Sequence, residues 1–312
     1  MNISVIIATR NRPDQLLRCL RSLIQNSLAP KEIIVIDQGD ISAPLESCIT
    51  KAKHRHISVR HIRTPGKNLS HARNEGVRLA TGDICAFTDD DCVVSGQWIH
   101  DIADSFYRYP SVSGVFGSTK PYQPSRHKHL ICPCVTDHKT PRVITQPERH
   151  WDTLGFGNNM AFRKIVCSDH RFQTWLGLGS VSKSAEDAEF ALHVLIRGKT
   201  LLASPGAVVY HDKWLTKKES AEADLSYTRG EAACYGYYSF SGYGFADSVV
   251  RQNVHRFITQ IRKKIVDTDT SVSLIYEVRL FRETMIGVCI GLFKSLTQSP
   301  NVPRITSTRI PA

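Results

Sequence analysis

"LSHARNEGVRLATGDICAFTDDDC", residues 69–92, decides how this chain folds. Leu69, Ala72, Gly76, Val77 and Ala80 recur at helical spacing, and Gly82 closes that helix. The run from Ile84 to Phe87 is wholly apolar, the pattern of a strand buried on both faces. It stops against Asp89, Asp90 and Asp91, whose like charges repel unless a cation stands opposite them.

Upstream, the same alternation repeats. "ISVIIATRN" (3–11) reads as a buried strand, and "RPDQLLRCLRSLIQNS" (12–27) as a helix with Pro13 in its first turn and Leu16, Leu17, Leu20, Leu23 and Ile24 on one face. "EIIVIDQGD" (32–40) is a second buried strand ending at Asp37, residues 45–52 suit another helix, and "HISVRHIR" (56–63) alternates like a strand. Strands alternating with helices predict right-handed βαβ units and an α/β fold with a mainly parallel, Rossmann-like central sheet. Ligands bind such sheets beyond the carboxyl ends of the strands. Thr9, Arg10, Asp37 and the 89–91 triplet all fall there, so separate segments deliver polar groups to one crevice.

Downstream the regularity fades. "PYQPSRHKHLICPC" and "DHKTPRVITQPERH" read as loops or a lid, "GFGNNMAFRK" (155–164) as glycines before a strand, and "SAEDAEFALHVLIRGKTL" (184–201) as a helix with acids in its first turn. "LLASPGAVVYHD" (201–212) reads as strand, turn, strand. Beyond Lys213 the chain becomes helical, with Tyr235, Tyr237 and Tyr238 clustered and a basic helix followed by an apolar one. The uncharged stretch from Thr284 to Phe293 is too short to span a bilayer, which needs about 20 residues. It suits either a helical cap or an interfacial helix whose Arg279, Arg282 and Lys294 face anionic headgroups. The expected organisation is a catalytic domain over 1–215, with a nucleotide-binding half (1–91) and an acceptor-binding half (92–215), and a helical accessory region over 216–312.

Of the 312 residues, 41% are hydrophobic and 22% charged, an ordinary globular balance. The net charge of +11 suits an anionic partner: nucleic acid, a membrane face or a phosphorylated substrate. No aromatic-interleaved basic stripe or zinc module points to nucleic acid. The nine cysteines are scattered and no secretory signal precedes them, so reduced thiols in the cytoplasm are expected. Cys132 and Cys134 lack a second pair at zinc-site spacing.

Carboxylates at a strand end suit Mn²⁺ or Mg²⁺, which prefer oxygen ligands and join substrate phosphates. Asp89 and Asp91 share a face if the chain stays extended; a bend would leave Asp91 as the sole direct ligand. A solvated acidic turn is the bland alternative. An aspartyl phosphatase wants its D-x-D near the first strand, and a sugar nucleotidyltransferase wants a glycine-rich loop there. "TRNRP" has no glycine.

Six segments in order, "VIIATRNRPDQLLRCLRSL", "EIIVIDQGD", "ARNEGVRLATGDICAFTDDDC", "GNNMAFRK", "EDAEFALHVLIRGKTL" and "PGAVVYH", resemble the family 2 glycosyltransferases of GT-A fold over roughly residues 1–212. The D-D-D-C form is closest to bacterial polysaccharide and lipid-linked-sugar transferases. The resemblance implies an inverting, metal-dependent transfer of sugar from a nucleoside diphosphate, UDP or dTDP, to a glycan or lipid-linked acceptor. Asp37 would meet a uracil or thymine N3–H, Thr9 and Arg10 would line the nucleotide pocket, and Arg73 would approach ribose or diphosphate. Asp89, Asp90 and Asp91 would hold ribose and metal, with His211 completing the metal shell. Gly157, Asn158 and Asn159 would lie against the donor sugar. Asp187, with Glu186 as alternate, would be the general base. Trp175 is either a platform for an acceptor sugar or a core aromatic. The expected location is the cytoplasm, at the inner-membrane face. Two departures stand out: Gln38 and Gly39 follow Asp37 where the family often has Asp-Gly or Ser, and the Q-x-x-R-W segment of processive members is absent, which implies single-sugar transfer. A catalytically inactive nucleotide-sugar-binding protein of the same fold is the alternative.

Overall fold

The structure, a computed structural model, describes residues 1–40, 44–148, 154–266 and 271–298. In chain order its elements are β1 (Ile3–Thr9), α1 (Pro13–Ile24), β2 (Glu32–Asp37), α2 (Glu46–His54), β3 (Ser58–Arg63), α3 (Leu69–Leu79), β4 (Ile84–Asp89), β5 (Cys92–Val94), α4 (Trp98–Arg108), β6 (Val112–Pro121), β7 (Arg142–Ile144), β8 (Asn159–Arg163), α5 (Lys164–Asp169), α6 (Glu186–Ile196), β9 (Thr200–His211), α7 (Lys217–Phe240), α8 (Gly244–Val266) and α9 (Ser271–Thr297). Two compact units result. One holds Met1–Thr174 and Phe190–Lys217; the other holds Trp175–Glu189 and the chain from Lys218 on.

The first unit is built on a mixed sheet of order β3-β2-β1-β4-β8-β6-β9-β5, with β7 also on β9. The four strands from the first third of the chain pair in parallel, as expected. Both faces are apolar because alternate residues of β1 enter different clusters: Val5 and Ile7 join α1 on one face, and Ile6 joins α3 on the other. Asn68 caps α3 by accepting the His71 N–H at 2.8 Å. A Cβ on Gly76 would lie 2.3 Å from Ile6 Cγ2, so only glycine lets α3 approach β1 this closely. The helix runs back along the strands, and its first turns, which carry Arg73, lie at their carboxyl ends.

Beyond β4 the pairing changes. β8 is antiparallel to β4 and β6, and β9 is parallel to β6 but antiparallel to β5 and β7. The expected turn within 201–212 is instead a bulge inside one continuous strand. The register of β9 against β6 slips between Gly117↔Ser204 and Ser118↔Val208, around Pro205 and Gly206. Proline cannot donate to the ladder, and a bulge removes the need for it to do so.

In the second unit, α7 buries Tyr235, Tyr237 and Tyr238, and the Tyr238 hydroxyl donates to Glu189 Oε1 at 2.7 Å. Gly287 and Gly291 let α9 touch the α7 backbone: added Cβ atoms would sit 2.4 Å from Arg229 O and 2.5 Å from Tyr237 N. Among the described residues no helix is long and apolar enough to cross a membrane.

Candidate active site

The strand register places the first functional groups. Thr9 pairs with Asp37 across β1 and β2, and Ala8 pairs with Asp89 across β1 and β4. The chain then turns sharply at Asn11, whose φ of 57° is left-handed. Arg12 returns over the strand ends as a result, and its Nη1 donates to Asp90 Oδ1 (3.1 Å) and Asp91 Oδ2 (2.9 Å). Thr9 Oγ1 donates to Asp90 Oδ2 at 2.7 Å. Arg73, only 3% exposed, donates to Asp89 Oδ1 (3.3 Å) and the Gly157 carbonyl (3.1 Å). Its guanidinium lies 5.6 Å from the Phe172 ring centre.

The three carboxylates therefore occupy three environments. Asp89 keeps an open side chain beside Arg73. Asp90 is buried; desolvation and the Asp91 charge outweigh Arg12 and Thr9 and push its carboxyl up to about 6. Burial alone would also raise Asp91, but His211, Arg12 and Lys213 prevail and hold it at about 2.

His211 ends β9, in register with Cys92 of β5. Its Nδ1 lies 2.9 Å from the Pro133 carbonyl. A carbonyl only accepts, so Nδ1 carries the proton and Nε2 is turned to Asp91, 3.3 Å from Oδ1. Burial would lower the imidazole pKa; the adjoining Asp91 carboxylate, the Cys132 thiol and the Pro133 carbonyl outweigh burial and lift it to about 10. The Asp91–His211 approach is an ion-pair contact without hydrogen-bond geometry. Asp91 Oδ1 is buried and accepts no hydrogen bond.

That orphaned oxygen is the test of fit for a divalent cation. Asp91, Cys92 and His211 offer donor atoms within 4.8 Å of one another. An anionic oxygen and an imidazole with its far nitrogen tied to a carbonyl suit Mn²⁺ or Mg²⁺, and the Pro133 bond is the outer support that orients a ligating histidine. The Cys92 thiol, driven well up by burial, is a poor ligand for these ions. Asp89, expected as a second ligand, is not in this group; its carboxylate is drawn to Arg73.

The other expected residues fall into two sets. Asp37 is buried, with Oδ1 accepting the Gly39 N–H (2.8 Å) and Oδ2 beside His61 Nε2 (3.0 Å). Arg10 is exposed. Asn158 is buried, accepts from Thr119 Oγ1 at 3.1 Å, and leaves its Nδ2 without a hydrogen-bond partner. Asn159 is different: its Nδ2 donates to the Ser118 and Ala207 carbonyls (2.8 Å each), and its Oδ1 accepts the Trp98 indole N–H (2.9 Å). Its amide is consumed in tying β6, β9 and α4 together. Trp175 lies in the second unit, 6% exposed, with its ring edge-on to Tyr237 at 5.4 Å. It packs as a core aromatic, the second of the two expected roles. Glu186 is buried and Asp187 half-buried at the start of α6, where Asp187 Oδ1 accepts the Ala188 N–H at 2.9 Å. Lys183 (φ 70°) and Ala185 (φ 73°) make a strained approach to that helix.

Arg12 was missed from sequence. The signal was present, since the triplet demands a cation and two arginines flank Asn11; what was not legible was the left-handed turn that aims the second one.

Residues 4–170 match the model of glycosyl transferase family 2. The succinoglycan biosynthesis protein ExoM of Rhizobium meliloti is 25% identical over 70% of this chain and 72% of its own length. A glucosyl-dolichyl phosphate glucuronosyltransferase of Haloferax volcanii is 24% identical over 39% of each chain, so the match spans about two fifths of that relative. Among solved structures, the mannosyltransferase PcManGT of Pyrobaculum calidifontis, in complex with GDP-Man and Mn²⁺, superposes with a TM-score of 0.57 at 14% identity, covering 95% of this chain and 87% of that one. S. aureus TarS 1–349 in complex with UDP-GlcNAc gives 0.50 at 20% identity, covering 75% and 66%. The fold is that of the GT-A glycosyltransferases. The chain belongs to glycosyl transferase family 2.

Proposed function

We propose that this chain is an inverting, metal-dependent glycosyltransferase that moves one sugar from a UDP- or dTDP-sugar to a hydroxyl of a glycan or lipid-linked acceptor, in surface polysaccharide or glycolipid synthesis. The observation that carries this reading is the buried Asp91 Oδ1, which accepts no hydrogen bond and faces a histidine ring oriented by its Nδ1 contact with the Pro133 carbonyl. Asp91 and His211 would hold Mn²⁺ or Mg²⁺, and the bound ion would neutralise charge on the departing diphosphate. The nucleotide-sugar complexes of the structural relatives support a nucleoside-diphosphate-sugar donor, and ExoM's name supports a part in polysaccharide synthesis.

The chain's own groups do the rest. Asp37, at the end of β2, offers its remaining lone pairs to the base N3–H. Arg73 holds Asp89 and the 157–158 backbone where ribose and donor sugar would lie. Asp187, with Glu186 beside it, accepts the proton of the acceptor hydroxyl as that oxygen attacks the anomeric carbon from the far side and the nucleoside diphosphate departs. The site of action is the cytoplasm, at a membrane face that carries lipid-linked acceptor.

The deciding experiment is a panel of UDP-, dTDP- and GDP-sugars with Mn²⁺ or Mg²⁺, followed by donor hydrolysis and thermal stabilisation. One donor class should stabilise the protein only with metal and be hydrolysed. Metal-dependent stabilisation without turnover on any acceptor would instead identify an inactive nucleotide-sugar binder.

A further inference from the structure

One face of α9 is bare. Ile275, Val278, Met285, Leu292, Phe293 and Leu296 are 38–77% exposed. With Arg282 and Cys289, both also exposed, they fall in steps of three and four along one side of the helix. The opposite side is spent: Glu283, Thr284, Gly287 and Gly291 are buried, the two glycines against the α7 backbone. An apolar stripe this long on a soluble surface marks an interaction site.

Its spacing alone would suit a second helix, and charge decides against a second copy. α8 and α9 together carry eight Lys and Arg against three acids, a net of +5. All three acids are already matched: Asp247 by Arg251, Glu277 by Lys264, and Glu283 by Arg229 and Arg282. Arg256, Arg262 and Lys263 stand exposed on α8, and Lys294 follows Phe293 on α9. Two such hairpins would repel each other. A surface that is anionic outside and apolar just beneath complements both features, and long basic side chains reach its headgroups while their stems cover apolar ground.

We infer that α8 and α9 form a docking surface for an anionic phospholipid leaflet, with the α9 stripe lying in the interface plane and the basic side chains on the headgroups. No described helix spans a bilayer, so the contact is peripheral. The inference deepens the proposed function, since it brings the enzyme to a surface where lipid-linked acceptors lie, but its test needs neither donor nor turnover.

The test is co-sedimentation of the full chain with vesicles of phosphatidylcholine alone or mixed with phosphatidylglycerol. The wild type should pellet with the mixed vesicles, remain in solution with phosphatidylcholine alone, and be released by high salt. Leu292→Glu with Leu296→Glu should lose pelleting while keeping the circular dichroism and melting temperature of the wild type. Arg262→Glu with Lys263→Glu should weaken it about tenfold or more. Equal pelleting of wild type and the leucine variant, equal binding to both vesicle types, or no vesicle binding at all would overturn the inference. So would concentration-dependent dimerisation abolished by the leucine variant with no vesicle binding, which would assign the stripe to a second copy. Failure of the donor panel with vesicle binding intact would sink the proposed chemistry and leave this surface standing.

Discussion

Buried carboxylates in the two units are treated in opposite ways. In the helical unit, Glu283 is closed by Arg229 and Arg282, and Glu189 takes the Tyr238 hydroxyl at 2.7 Å. At the strand ends of the sheet unit, Asp91 is also buried, yet one of its oxygens accepts no hydrogen bond and faces an imidazole nitrogen at 3.3 Å. A satisfied buried charge fixes packing. A half-satisfied one costs stability, and beside a pre-oriented histidine it suits the cation that the proposed function calls for.

The sharpest way to break this contrast is Asp91→Ala. Transfer should disappear, and calorimetry should show Mn²⁺ no longer improving nucleotide binding; metal-dependent binding that survives would remove Asp91 from the site. Next in size, Asp187→Asn should cost ~10²–10⁴-fold in rate, the usual scale for a general base, with donor affinity nearly unchanged. Parent-like transfer by this variant would move the base elsewhere, with Glu186→Gln the following experiment.

Arg12 sharpens the comparison further, because it occupies the place of a counter-cation. Its side chain is 41% exposed, so Arg12→Met should lower stability in EDTA by only about 1 kcal/mol, while Mn²⁺ affinity rises because a competing positive charge is gone. Weaker metal binding by that variant would show that Arg12 orders the site rather than substituting for the ion. The counterpart in the helical unit, Glu283→Gln, should cost about 1–3 kcal/mol in unfolding measurements and leave metal affinity alone. The smallest effect concerns Glu32. Burial would raise its carboxyl, but hydrogen bonds from Ser4 and Thr81 outweigh burial and lower it. A lowered folded-state pKa contributes stability above the unfolded value, which is lost as pH falls through the folded one. Glu32→Gln should therefore flatten the acid limb of the stability profile below the ordinary glutamate range.

The first third of the chain was legible because its signals are local. "ISVIIAT" and "EIIVID" are strands by composition, α1 and α3 follow from helical spacing, and the acids had to end a strand. Later elements hid in plainer sequence. α4 buries Trp98, Ile99, Ile102 and Phe106 at helical spacing, but polar residues between them masked it. β6, with its glycines and serines, gave little strand signal until β8 and β9 flanked it. Asn158 and Asn159 look alike as letters, and only the strands around them show that the amide of Asn159 is consumed structurally while Asn158 keeps an unpartnered amide nitrogen.

By itself, the order of residues determined the βαβ beginning, the acidic strand end and the apolar, basic character of the final helices, because periodicity and charge are properties of neighbours in the chain. Only the tertiary structure decided that Arg12 and His211 stand over Asp91, since Asp91 and His211 meet through β5 and β9, far apart in sequence. Long-range strand pairing sets which side chains share a dielectric and a partner, and no local pattern encodes that choice.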